Sequence, residues 1–131
     1  LCVDHGIAVT PWSPLARGML AGTRAKLGDS STSRSSSVGL DLILYDPPSE
    51  WDVFDAVKKV AAERGEPPAR IALAWLMSKP AVTAPIVGAT KLKHLEDAIE
   101  AVKIELSDEE VAILEAPYRP HPVRGMAAPK T

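Results

Sequence analysis

At 131 residues, with 46% apolar and 24% charged side chains, the chain has the composition and length of one soluble globular domain. A formal charge of −2 excludes the broad basic field that draws proteins to nucleic acid or membrane surfaces, and no apolar run is long enough to span a bilayer. The single cysteine, Cys2, rules out an internal disulfide and fits a reducing, cytoplasmic setting.

The chain opens on Leu1 in place of Met, and Leu1-Cys2-Val3 reads into an apolar segment with no preceding turn, which predicts a piece of a longer protein. After the polar turn Asp4-His5-Gly6, the run Ile7 to Thr10 reads as a fully buried parallel strand, which needs a neighbour on each side. Pro11, Pro14, Gly18 and Gly22 then make a loop of fixed geometry. Trp12 and Ser13 stand where the strand ends, the ligand-facing rim of a parallel α/β protein. Trp12 reads equally as core or as a stacking platform. Residues 23–49 predict a flexible loop, polar and low in complexity from Asp29 to Ser37, with Val38 to Tyr45 docking back.

Helical spacing follows. Trp51, Val53, Phe54, Val57, Val60 and Ala61 line one side of a helix that Ser49 caps and Gly65 ends. Pro67-Pro68 opens a second helix, Ala69 to Ser78, apolar almost without a break and therefore buried nearly all round. Lys79-Pro80 closes it. Thr83 to Val87 reads as a second buried strand, turning at Gly88-Ala89 into a helix whose inner face is Leu92, Leu95, Ala98, Ile99 and Val102. Ser107 and Glu110 fit a capping box on a last helix with Val111 and Leu114 inward. The tail from Pro117 to Thr131 is irregular.

The corner after Val87 is the chemically loaded stretch. The first turn of a helix has backbone N–H groups without an internal partner and a partial positive charge, which together favour an anion. Thr90, Lys91, Lys93 and His94 add a hydroxyl, two ammonium groups and an imidazole at that place. A strand, a glycine turn and a basic helix start is a recipe for holding phosphate, although the same residues also fit an ordinary βα turn with a charged rim.

In order and spacing, these stretches resemble the aldo-keto reductase family. Trp12-Ser13-Pro14-Leu15-Ala16-Arg17-Gly18-Met19-Leu20 is similar to the segment after the family's seventh barrel strand. Ile71 to Leu76 is similar to its seventh helix, Gly88 to Ala98 to the loop and helix after strand eight, and Glu105 to Glu110 leads toward its C-terminal helix. The resemblance implies an α/β fold, the C-terminal part of a (β/α)8 TIM barrel. A whole barrel takes about 250 residues, so 131 residues cover near half of it or less.

It also implies hydride transfer from NADPH to a small-molecule aldehyde or ketone. Trp12 falls where the family stacks on the nicotinamide, and Ser13, Leu15, Arg17, Gly18 and Leu20 where it lines the pyrophosphate and ribose. Gly88, Ala89, Thr90, Lys91, His94 and Asp97 fall where it holds the adenosine 2′-phosphate and the adenine. Asp97 stands where the family often has Glu, and Ala98 where it often has Asn. Lys91 beside Thr90, with no acidic residue at the loop's start, favours NADP over NAD. The family's catalytic Asp, Tyr, Lys and His lie earlier in the barrel, and Tyr45, Tyr118, His5, His94 and His121 sit in other contexts. No catalytic residue or metal ligand is therefore assigned, and the chain alone is expected to be inactive. Two rival expectations are a non-catalytic NADP-binding regulatory subunit of the same fold and a truncated product with no function of its own.

Overall fold

The computed structural model of the chain describes residues 1–23 and 48–120. Within them lie four α-helices, α1 (Pro48–Arg64), α2 (Pro68–Met77), α3 (Leu92–Ala101) and α4 (Asp108–Glu115), and one 3-10 turn, Ala16–Gly18. Of the expected loop, 23–49, residues 24–47 lie outside the described residues and 48–49 belong to α1; of the expected tail, 117–131, residues 121–131 lie outside them.

Local chemistry accounts for the helix ends. α1 begins at Pro48, ahead of the expected Ser49 cap, because proline at a first helical position gives up an N–H that has no partner there. It stops at Gly65, whose φ of +68° lets the Glu66 N–H reach back to the Ala61 carbonyl at 2.9 Å. Pro68 opens α2 in the same way. At α4 the capping box forms as read: the Glu110 N–H donates to Ser107 Oγ at 3.3 Å, and the Ser107 N–H to Glu110 Oε2 at 2.7 Å.

α2 is the hub. Ile71 to Ala74 are all buried on it, and α1 and α3 both pack against it. Val57, Val60 and Ala61 of α1 meet Ile71 and Ala72, and Leu114 of α4 joins the same cluster. α4 is held to α1 by charge as well. Arg64 forks onto Glu110, Nη2 to Oε2 at 2.6 Å, and also donates to the Glu105 carbonyl at 2.7 Å.

In place of the two expected buried strands there is a pair of bridged segments whose residues are exposed or half-buried, none of them buried. Val9 bridges Val82 and Trp12 bridges Ile86, both in parallel. Between these bridges the first segment advances three residues and the second four, so the ladder carries one bulged residue. Pro11 and Pro85 fall in that interval and have no N–H to donate. What survives is Thr83 N–H to the Val9 carbonyl at 2.9 Å and Ile86 N–H to the Pro11 carbonyl at 2.8 Å, with a longer bond from the Val9 N–H to Ala81. Ile7 and Ile86 are more than half exposed, because among the described residues no third segment pairs with either one. The (β/α)8 sheet itself is thus not present among the described residues.

α3 departs from expectation in a second way. Leu92, Leu95, Ile99 and Val102 are exposed, Ala98 is half-buried, and the buried residues are Asp97 and Ala101. The helix docks on α2 through short Ala101 and a carboxylate that finds a cation there, leaving its larger apolar side chains uncovered.

Glu110 gives the fold a pH dependence of known sign. The hydrogen bond from Arg64, then the one from the Ser107 N–H, holds its carboxyl below the ordinary glutamate range. A carboxyl so lowered contributes fully above its ordinary pKa, and the contribution is lost as pH falls through the lowered value. Denaturant unfolding between about pH 6 and about pH 3 is expected to show the wild-type chain losing more stability than Glu110→Gln. Parallel losses in the two proteins would contradict this.

Candidate functional site

Because the two extended segments run in parallel, the chain leaves both of them at the same end. Trp12 and Ile86 are paired directly, so the stretch beginning at Ser13 and the corner beginning at Val87 start out as neighbours. The sequence-predicted site residues follow one or the other exit, apart from Trp12, which stands in the last bridge itself.

The first exit is strained. Ser13, Ala16 and Arg17 have φ values of 53°, 48° and 55°, a left-handed region that costs a non-glycine residue on the order of 1 kcal/mol or more. The surroundings hold them there. The Ala16 N–H bonds the Ser13 carbonyl at 3.0 Å, and the Gly18 and Leu20 N–H groups both bond that of Leu15, at 3.0 and 3.2 Å. Leu15 and Leu20 pack against the core cluster and Met19 is buried, which pins the loop from beneath. Trp12, by contrast, is 69% exposed, so it is not core among the described residues.

Gly18 has a φ of +98°, and a Cβ there would meet Thr23 Oγ1 at 2.6 Å. That hydroxyl and the Thr23 N–H both bond the Gly18 carbonyl, at 3.1 and 3.2 Å.

The second exit is open and basic. Gly88 has nothing within 4 Å of where a Cβ would stand, so its backbone is bare to approach. Ala89, Thr90, Lys91, Lys93 and His94 are exposed, and Thr90 Oγ1 lies 3.5 Å from His94 Nδ1, at the edge of hydrogen-bonding range. Lys91 is the N-cap of α3 and gives it no side-chain cap, and no acidic residue stands in the first turn. The end of the helix that attracts anions is therefore left without an internal one.

Asp97 is placed differently from its neighbours. It is only 8% exposed, and its Oδ1 accepts from Arg70 Nε at 2.9 Å, with Arg70 Nη2 at 2.8 Å and Lys93 Nζ at 3.2 Å. Burial alone pushes this carboxyl up, but the hydrogen bonds from Arg70 and Lys93 outweigh it and hold the pKa below the usual aspartate range. Arg70 is braced on its other side by Glu66, Nη1 to Oε2 at 3.0 Å. Arg70 has no place in the sequence-based site. The signal for it was the Glu66–Arg70 spacing and a lone cation at the mouth of an apolar helix.

A hollow of about 260 Å³ lies at the opposite end of the paired segments, lined by residues such as Cys2, Ile7, Pro80 and Ala81 and by no charged group. It is unsuited to phosphate. Among the described residues no cluster of His, Cys, Asp or Glu is arranged to hold a metal, and no helix is long and apolar enough to cross a membrane.

The sequence profile of the Aldo/keto reductase family matches residues 1–119. The chain belongs to that family. It is 35% identical to the versiconal hemiacetal acetate reductase of Aspergillus parasiticus, a match covering 91% of this chain and 34% of that protein. An aldo-keto reductase of Fusarium vanettenii is 36% identical over 95% of this chain and 33% of its own length. The thermostable aldo-keto reductase Tm1743, solved with the inhibitor epalrestat, superposes with a TM-score of 0.58 at 24% identity, covering 89% of this chain and 32% of that one. That likeness is to about a third of an aldo-keto reductase fold. The chain spans about a third of the length of the curated relatives it matches.

In this aldo-keto reductase chain the strained exit is open to a direct test. Gly18→Ala is expected to lower stability by about 1–3 kcal/mol, through its positive φ and the contact with Thr23. Thr23→Gly in the same chain is expected to recover part of the loss by removing the contact, as read by denaturant midpoints. A Gly18→Ala chain as stable as wild type would show that the loop is not held as described.

Proposed function

We propose that residues 1–131 are the C-terminal, cofactor-binding part of an NADPH-dependent aldo-keto reductase, a cytoplasmic enzyme that reduces small aldehydes or ketones to alcohols. The observation that carries this reading is the direct parallel pairing of Trp12 with Ile86, which starts the strained loop and the basic corner side by side. Ligands of parallel α/β folds bind at that end of the strands, and barrels often take phosphate with their last two loops.

The donor set fits the cofactor. Lys91, Thr90 and His94, with the uncapped first turn of α3, suit a phosphate of high charge, and bare Gly88 and Ala89 let it approach the backbone. Exposed Trp12 offers a face on which a nicotinamide can stack. Ser13, Arg17 and Gly18 suit the pyrophosphate and ribose, in a loop whose shape Leu15 and Leu20 set from the core side. Asp97 serves this site as an anchor of α3 through Arg70. NADPH, when bound, supplies the hydride. The residues of this chain bind and orient it, and the proton for the carbonyl oxygen comes from a group outside the chain.

In the complete enzyme, Lys91→Ala is expected to raise the Kd for NADPH about tenfold and that for NADH less than about twofold, since only NADPH carries the extra phosphate. Equal losses for both cofactors would contradict the assignment. The pure 131-residue chain, mixed with NADPH and an aldehyde, is expected to show no loss of absorbance at the reduced-nicotinamide band. Turnover there would place a proton donor within this chain.

A further inference from the structure

The polar network under α3 is centred on a residue that belongs to no predicted site. Arg70 stands in the first turn of α2, and its guanidinium links Glu66, on its own side, to Asp97 across the seam with α3. Asp97 has two cationic partners of unequal quality. Arg70 is mostly buried and approaches at 2.8–2.9 Å through two nitrogens, whereas Lys93 approaches at 3.2 Å with its side chain 68% exposed. The Lys93–Asp97 pair also has the cation N-terminal to the acid along the helix, the weaker order for such a pair. Lys93 is thus the loosely held member, one residue into the helix whose start is the proposed anion site.

Resting on the cofactor reading above, we propose that Arg70 is a positioning residue for NADPH selectivity: it satisfies the Asp97 carboxylate so that Lys93 stays available to the cofactor's 2′-phosphate. Charge must balance at the start of α3. A carboxylate as buried as Asp97 must be paired. With Arg70 in place the pairing is met mainly from α2, and Lys93, in contact at 3.2 Å but not needed there, can swing off to add its charge to that of Lys91. Without Arg70 the one cation left on Asp97 among the described residues is Lys93, whose 3.2 Å contact then becomes obligatory and neutralises it. The local field then drops by about one charge at the place where NADPH and NADH differ.

Fluorescence titration of the complete enzyme with NADPH and NADH tests this through Arg70→Met, Lys93→Met and the two combined. Each single change is expected to raise the NADPH Kd about tenfold and the NADH Kd less than about twofold, and the combination to be no worse than Lys93→Met alone, because both act through one ammonium group. Arg70→Met with Asp97→Asn guards against a folding defect. It removes the stranded charge, and NADPH affinity is expected to return to within about threefold of wild type. Equal weakening of both cofactors, multiplied losses in the Arg70–Lys93 combination, or no recovery with Asp97→Asn would each overturn the proposal. If Lys91→Ala is NADPH-selective while these variants are not, the Arg70 inference alone fails. If Lys91→Ala is also unselective, the cofactor reading fails and the inference falls with it.

Discussion

The parallel pairing of residues 9–12 with 82–86 is the constraint on which the rest depends. Had the segments paired antiparallel, the loop after Thr10 and the corner after Val87 would leave at opposite ends. A parallel pair cannot be joined by a tight turn, so the chain must return to its starting end through a long connection. Here α1 and α2 lie in that connection, and they carry most of the buried side chains. The pairing itself is thin, interrupted by Pro11, Pro85 and a bulged residue. The packing of α2 between α1 and α3 therefore does more to maintain the arrangement than the few hydrogen bonds between the segments.

The distribution of apolar surface follows from the same geometry. Ile7 and Ile86 on the segments, and Leu92, Leu95, Ile99 and Val102 along α3, are the side chains a periodicity argument assigns to a core. They are exposed here. An apolar stripe at helical spacing reports that a face is meant to be covered, and it does not say by what. In α3 the face that meets α2 is the one bearing Ala101 and Asp97. Periodicity misidentified the docking face because it counts a carboxylate as a solvent residue wherever it stands.

What could be read beforehand was local. Gly65 as a helix stop, Pro68 as a helix start and the Ser107–Glu110 box each depend on residues within a few positions, and each formed as its side-chain chemistry dictates. The family resemblance was legible for the same reason, in short stretches kept in register, and the family profile covers residues 1–119. What could not be read was set by distant partners. The burial of Asp97 depends on Arg70, 27 residues earlier. The left-handed backbone at Ser13, Ala16 and Arg17 is held by Leu15, Met19 and Leu20 packing inward, with no glycine or asparagine at those positions to announce it. Both features lie at the proposed site. Agreement between local preference and final structure breaks down where geometry serves something other than folding.

The seam between α2 and α3 makes that point in energetic terms. A buried ion pair roughly breaks even against desolvation, and apolar side chains of similar volume would hold the two helices together at least as well. Leu95 and Ile99 were available on α3 and are turned away. Stability is therefore a poor explanation for Arg70 and Asp97. An ion pair fixes orientation more narrowly than an apolar contact, because it is strong only when the donors meet the carboxylate in line. Arg70, clamped between Glu66 and Asp97, fixes how α3 sits on α2 and hence where its uncapped first turn is aimed. On the inference drawn above, the same contact also leaves Lys93 its charge at that turn. Direction and sign are the two properties the proposed phosphate site would require of a helix end, and one guanidinium would supply both.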